Sequence, residues 1–162
     1  GGWLGLHDRA HLAAAAGADG LHLAGSSLGV AEARTVVGAS LAIGVSTHDG
    51  DGPARWEGAD YAMHAPVFPP NSKHGEAAPL GAQGLARFCG ACSLPVWALG
   101  GITAERLPEL SGSGAAGAAA IGAVWSGDLD PGAEGPGRLG RRVGALVEAA
   151  AAALGLPPGD PR

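Results

Sequence analysis

The residues best able to do chemistry lie in Asn71-Ser72-Lys73-His74, a run of polar side chains following Pro69-Pro70. A compact ammonium beside hydroxyl and amide donors at a strand end suits a phosphate or pyrophosphate. The alternative for Lys73 is a solvated loop lysine. Other candidates are weaker. His64 sits in an apolar strand, where it is either a general acid/base or a satisfied core histidine. His22 and His48 lie near strand ends at spacings that match no metal motif. Cys89 and Cys92 have CxxC spacing, but they also continue the apolar helix face Leu85, Phe88, Cys89, Cys92, so core packing is expected.

The elements that must position these groups repeat along the chain. Short apolar strands are expected at 3–6, 20–24, 41–47, 61–68, 95–99 and 117–124. Between them, an alanine-rich helix of about ten residues starts with Asp8 at its N-cap and closes at Gly17. Another helix spans 30–37 and ends at Gly38. The crossover 48–58, broken by Gly50, Gly52 and Pro53, leaves room for about two helical turns around Arg55 and Trp56. Further helices are expected over 83–92 and after Thr103 as N-cap, and the longest presents Leu139, Val143, Leu146, Val147, Ala150 and Leu154 as one apolar stripe. Residues 1–155 form one domain, and 156–162 a tail.

Six strands alternating with six helices at roughly 25-residue intervals specify a parallel α/β sheet with right-handed crossovers. Doubly wound and barrel arrangements both satisfy this pattern. Polar and glycine-rich residues collected at strand C-termini favour a TIM-type (β/α)8 barrel, as do the Gly100-Gly101 doublet and the Gly-Ala turn after the last two strands. Eight strands close such a barrel, and about six βα units are present.

The composition narrows the partners. A net charge of −5 and no basic run interleaved with aromatics argue against a nucleic-acid surface. With ten lysines and arginines in 162 residues, anions must be held by backbone amides and a few placed cations. No stretch is long and apolar enough to span a bilayer and no leader pattern is seen, so a cytoplasmic location is expected. The chain begins Gly-Gly-Trp, which suggests a cut N-terminus.

Five stretches in order, HDRAHLAAAAGADGLHLA, IGVSTH, ADYAMHAPVFPPNSKHGEAAPLG, PVWALGGIT and GAAAIGAV, resemble the thiamine phosphate synthase and TenI-like family from Leu6 to about Val124. The resemblance implies strands three to eight of a (β/α)8 barrel; the first two units, which carry a Gln, Arg and Lys for the pyrimidine diphosphate in family members, are absent. It implies a transferase that joins hydroxymethylpyrimidine diphosphate to thiazole phosphate, releasing pyrophosphate with Mg²⁺ as cofactor. Residue by residue, Asp8 matches a magnesium aspartate, Ser46 a serine that contacts the pyrimidine diphosphate, and Lys73 the diphosphate lysine. Pro70, Asn71 and Ser72 stand where a triplet holds the thiazole phosphate, with Gly101 and the amides of Ile121 and Gly122 completing that site. For the glycines, tight strand packing is the competing role.

Two positions depart from the family pattern. Ser27 stands where a second magnesium aspartate is usual, and His7 replaces an asparagine. Two other readings accompany the synthase: a TenI-like thiazole tautomerase, from the other branch of the family, with His64 as acid/base two residues before Pro66, where those relatives carry a histidine; and, favoured by these departures, a non-catalytic domain that binds a phosphorylated thiazole or pyrimidine. Open sheet edges further imply a homo-oligomer or a missing N-terminal segment.

Overall fold

The computed structural model describes residues 2–69, 78–124 and 136–156, with the side chains of 136–138 outside the description. Six strands, β1 (Gly5–His7), β2 (Gly20–Leu23), β3 (Ala42–Thr47), β4 (Tyr61–His64), β5 (Val96–Leu99) and β6 (Gly117–Ala119), form one sheet. Every neighbouring pair is parallel, and the strand order is the chain order, β1 to β6. A doubly wound sheet would reverse direction at a switch point; this one never does. The sequential winding is that of a β/α barrel, with β1 and β6 as the edges among the described residues.

The register carries a second barrel signature. The row His7, His22, Gly44, Tyr61 starts at the last residue of β1 and ends at the first residue of β4. The row Ser46, Met63, Trp97, Gly117 slips the same way, from near the end of β3 to the start of β6. Such progressive stagger is what lets tilted strands curl toward closure.

Side-chain alternation separates two faces. Leu21, Leu23, Ile43, Val45, Ala62, Val96 and Ala98 are buried on one, against helical residues such as Ala13, Ala33, Val37 and Leu85. The other face carries the staggered rows and is partly open, with Trp97 38% exposed. Aromatic rings cover glycines there. A Cβ on Gly44 would lie 2.0 Å from Tyr61 Cζ, and one on Gly117 2.7 Å from Trp97 Cε3, so no other residue leaves room for those rings.

Four α-helices are described: α1 (Ala10–Ala13), α2 (Val30–Val37), α3 (Gly81–Ala91) and α4 (Pro136–Leu154). Helix α2 and its closure at Gly38 match the expectation. Helix α1 is shorter than the alanine content suggests. Only Ala10 and Ala13 find burial, and a single exposed turn of alanines gains too little from propensity alone to persist. It closes at Gly17, φ +64, through Ala18 N to Ala13 O and Gly17 N to Ala14 O.

The N-cap expectations fail at two places. The residue before α1 is Arg9, and no side chain caps the helix. After β5, Thr103 leads only to a turn and a 3₁₀ segment, Leu107–Leu110, again without a side-chain cap. Pro108 lacks the amide that an α-helical ladder would need at this point. The crossover after β3 likewise shrinks to one 3₁₀ turn, Pro53–Arg55.

On α4 the apolar stripe is rotated from its expected position. Val143 and Val147 are 40% and 44% exposed, whereas Leu146, Ala149, Ala150, Ala153 and Leu154 pack toward the core. Alanines permit a closer approach than the bulkier valines that dominate a hydrophobicity pattern.

Candidate functional site at the C-terminal rim of the sheet

Because all six strands run parallel, the segments that follow them meet at one rim. Asp8 follows β1, Ala24–Ser27 follow β2, Ser46 is the penultimate residue of β3, Pro66–Pro69 follow β4, Gly100–Gly101 follow β5, and Ala120–Gly122 follow β6. Asn71, Ser72 and Lys73, together with Pro70 and His74, lie outside the described residues.

Asp8 is the best-defined group on this rim. Its backbone is left-handed, φ +57, a conformation Asp tolerates better than most residues. The turn points the carboxylate across to the end of β2 rather than down its own helix. Oδ1 accepts from Ala24 N at 3.0 Å and from the Ser27 hydroxyl, and Asp8 N donates to His22 O at 3.0 Å. Asp8 is therefore a bridge between two strand ends, which corrects its expected role as N-cap. Partial burial pulls its pKa upward, but the Ser27 and Ala24 hydrogen bonds and the His7 and Arg9 charges outweigh it and hold the carboxyl below its usual range.

Ser46 and His22 form the next contact, with Ser46 Oγ 2.9 Å from His22 Nε2. The His22 ring lies between His7, at 5.6 Å, and Tyr61, at 5.8 Å between centroids. Behind them Arg55 braces the strand ends: Nε donates to Ser46 O at 3.0 Å and a terminal nitrogen to Ala24 O at 2.8 Å. Arg55 was not recognised from sequence. A cation in a short glycine- and proline-rich crossover carries no local sign of which carbonyls it will reach.

Gly101 holds the segment after β4 in place. Its φ is +61, and a Cβ there would lie 2.6 Å from Pro69 O. Phe68 N donates to Gly100 O and Val67 N to Leu99 O, while on the far flank Leu80 N and Gly81 N donate to Pro66 O and Val67 O. Arg106 completes the clamp, donating to Gly101 O at 3.3 Å with its guanidinium 5.3 Å from the Phe68 ring centre. The chain on both sides of 70–77 is thus pinned beside the glycine doublet. After β6, Val124 N closes a turn onto Ile121 O, leaving Ile121 68% exposed and Gly122 exposed.

His64 does not join this group. It is 2% exposed on the helix-covered face, with Nδ1 3.0 Å from Thr47 Oγ1 and its ring stacked on Phe88, so it is a satisfied core histidine whose pKa is pushed down by burial. Cys89 and Cys92 are free thiols on the core side, and no cluster of three or more metal-ligating side chains occurs among the described residues.

The family model for thiamine monophosphate synthase matches residues 3–124. The chain belongs to that family. It is 40% identical over 121 residues to a thiamine-phosphate synthase of Salinispora arenicola, covering 74% of this chain and 58% of the relative. It is also 38% identical over 152 residues to the Chlorobium luteolum thiamine-phosphate synthase, covering 93% and 69%. Among solved structures it is similar to a thiamine phosphate pyrophosphorylase from Pyrococcus furiosus, with a TM-score of 0.70 and 26% identity over 91% of this chain and 68% of that one. The chain spans about three fifths of the length of the first curated relatives it matches.

Asp8 offers a limited fit to Mg²⁺. Its Oδ1 already accepts two hydrogen bonds, one of them from the Ser27 hydroxyl. That leaves Oδ2, which lies 3.3 Å from His7 Nε2, as a single ligand from Asp8 among the described residues. One carboxylate oxygen suits a hydrated magnesium ion whose remaining ligands come from substrate phosphates and water.

Proposed function

We propose that this chain supplies the catalytic rim of a thiamine phosphate synthase, coupling hydroxymethylpyrimidine diphosphate to thiazole phosphate with release of pyrophosphate. The observation that carries the reading is the convergence at one rim, within a chain of this family, of the Asp8–Ser27 bridge, the Ser46–His22 pair and the Gly100–Gly101 clamp. When a diphosphate leaves a carbon attached to an aromatic ring, negative charge grows on its oxygens. The catalyst must meet that charge with preorganised donors and cations. Lys73 is the cation assigned to it and Ser46 a neutral donor. Ser72, Asn71, Gly101 and the amides of Ile121 and Gly122 are assigned to the thiazole phosphate. Bound at Asp8, Mg²⁺ would neutralise part of the diphosphate charge.

Free phosphorylated metabolites as substrates agree with a cytoplasmic location, and no described helix is long and apolar enough to cross a membrane. The two sheet edges and the open face favour a homo-oligomer or an additional segment that covers them.

Thiamine phosphate formation from the two substrates with Mg²⁺ tests the reading. Lys73→Ala is expected to lower kcat by about 100-fold or more, the scale of losing a key charge-stabilising group; unchanged turnover removes Lys73 from the mechanism. Ser27 in place of an acidic residue favours one alternative, a domain that binds a phosphorylated ligand without turnover. Pyrophosphate binding with no product formed would select it. The tautomerase reading loses its acid/base candidate, since His64 is buried on the opposite face.

A further inference from the structure

We infer that His22 is a positioning residue that fixes the Ser46 hydroxyl as a committed hydrogen-bond donor toward the open face. His22 is 9% exposed, and its Nδ1 is buried with no hydrogen-bond partner among the described residues. Its other nitrogen, Nε2, is 2.9 Å from Ser46 Oγ. A neutral imidazole has one N–H to place. On Nδ1 that proton would be an orphaned buried donor, the rarest unsatisfied group in folded proteins. On Nε2 it donates to Ser46, leaving only a lone pair unmatched. A doubly protonated ring would keep the same orphaned N–H on Nδ1.

The Nε2–H tautomer has a consequence for Ser46. Its oxygen accepts from His22, so its own proton must find another acceptor, and Ser46 lies half-buried on the open face. A free serine can give its proton to any neighbour; with His22 donating to one of its lone pairs, the Ser46 proton is kept off the ring and free for a ligand. Such a hydroxyl favours an accepting group, above all an ionised diphosphate oxygen. The ring is kept in this orientation by its neighbours. His7 and Tyr61 flank it at interplanar angles of 28° and 30°, and Tyr61 reaches it because Gly44 leaves the space. The row His7, His22, Gly44, Tyr61 thus forms a support for one hydroxyl.

The choice of diphosphate as ligand rests on the synthase reading, so two measurements separate the claims. Long-range ¹H–¹⁵N correlation spectra of the wild-type chain are expected to show His22 Nδ1 unprotonated and Nε2 protonated at neutral pH; a protonated Nδ1 overturns the arrangement. Calorimetric titration with inorganic pyrophosphate and Mg²⁺ then reads its effect. His22→Phe and Ser46→Ala are each expected to weaken binding about tenfold, the scale of one hydrogen bond to a charged group. His22→Gln, which restores an N–H at similar reach, should stay within about twofold of wild type, and the double variant His22→Phe/Ser46→Ala should lose no more than either single change. Additive losses, or failure of His22→Gln to rescue, overturn the positioning role. No pyrophosphate binding by the wild type refutes the diphosphate reading, and the nitrogen shifts then decide the His22–Ser46 geometry alone.

Discussion

Replacing Asp8 separates a bridging aspartate from a capping one. In the structure its carboxylate takes hydrogen bonds from Ala24 N and Ser27 Oγ, and its backbone is left-handed. Asp8→Ala removes both hydrogen bonds to Oδ1, about 1 kcal/mol each at this partly exposed site. It also places an ordinary L-residue at φ +57, costing about 1–2 kcal/mol more. The expected loss is about 3–4 kcal/mol, a large share of the total stability of a domain. Asp8→Gly relieves the backbone but not the two lost hydrogen bonds, so about 2 kcal/mol is expected. Asp8→Asn keeps an acceptor and tolerates the turn, for about 1 kcal/mol or less. An N-cap role instead predicts about 1 kcal/mol for alanine and a few tenths for glycine. Urea unfolding of the three variants decides between them, and a near-neutral Asp8→Gly would refute the bridge. The sign with pH is also set. The carboxyl is held below its usual range, so its stabilisation is complete above the unfolded value and is lost as pH falls through the lower folded value. The gap between wild type and Asp8→Asn should therefore close in acid. At neutral pH, Asp8→Asn should retain the fold while weakening magnesium-dependent pyrophosphate binding.

Gly44→Ala drives a Cβ into the Tyr61 ring and should cost about 1–3 kcal/mol by overpacking, with Tyr61 displaced from His22. Unchanged thermal unfolding and an unchanged Tyr61 environment would contradict the packing described. Burial and the neighbouring Cys92 push the Cys89 thiol up to about 11, so it should resist alkylation at pH 8 until the protein is unfolded; rapid labelling of the native chain would show the thiol to be accessible. The strand edges β1 and β6, beside a face carrying Trp3 and Trp97, should make the isolated chain associate. A monodisperse monomer by light scattering would refute that.

Much of this architecture was legible in the chain itself, because alternation of short apolar runs with helical periodicity is a local property. Five of the six strands fall inside the expected spans and β1 runs one residue past its own, to His7, while α2 with its terminal Gly38 needed only Val30, Ala33 and Val37 on one face. The five stretches that carry the family resemblance are local too. What local pattern could not decide was whether six parallel strands wind in one direction or reverse. Strand order is set by pairings across whole crossovers, and the staggered rows appear only once the strands are side by side. The same holds for single residues. Asp8 precedes a helix and so reads as a cap, but a left-handed turn gives its carboxylate to a strand end 16 residues away. Ser46 depends on a histidine 24 residues earlier, and Arg55 on carbonyls more than 30 residues earlier as well as on Ser46. Composition and spacing named the groups able to act; three-dimensional pairing determined which of them touch, because a hydrogen bond is directional over a few ångströms and sequence separation carries no such information.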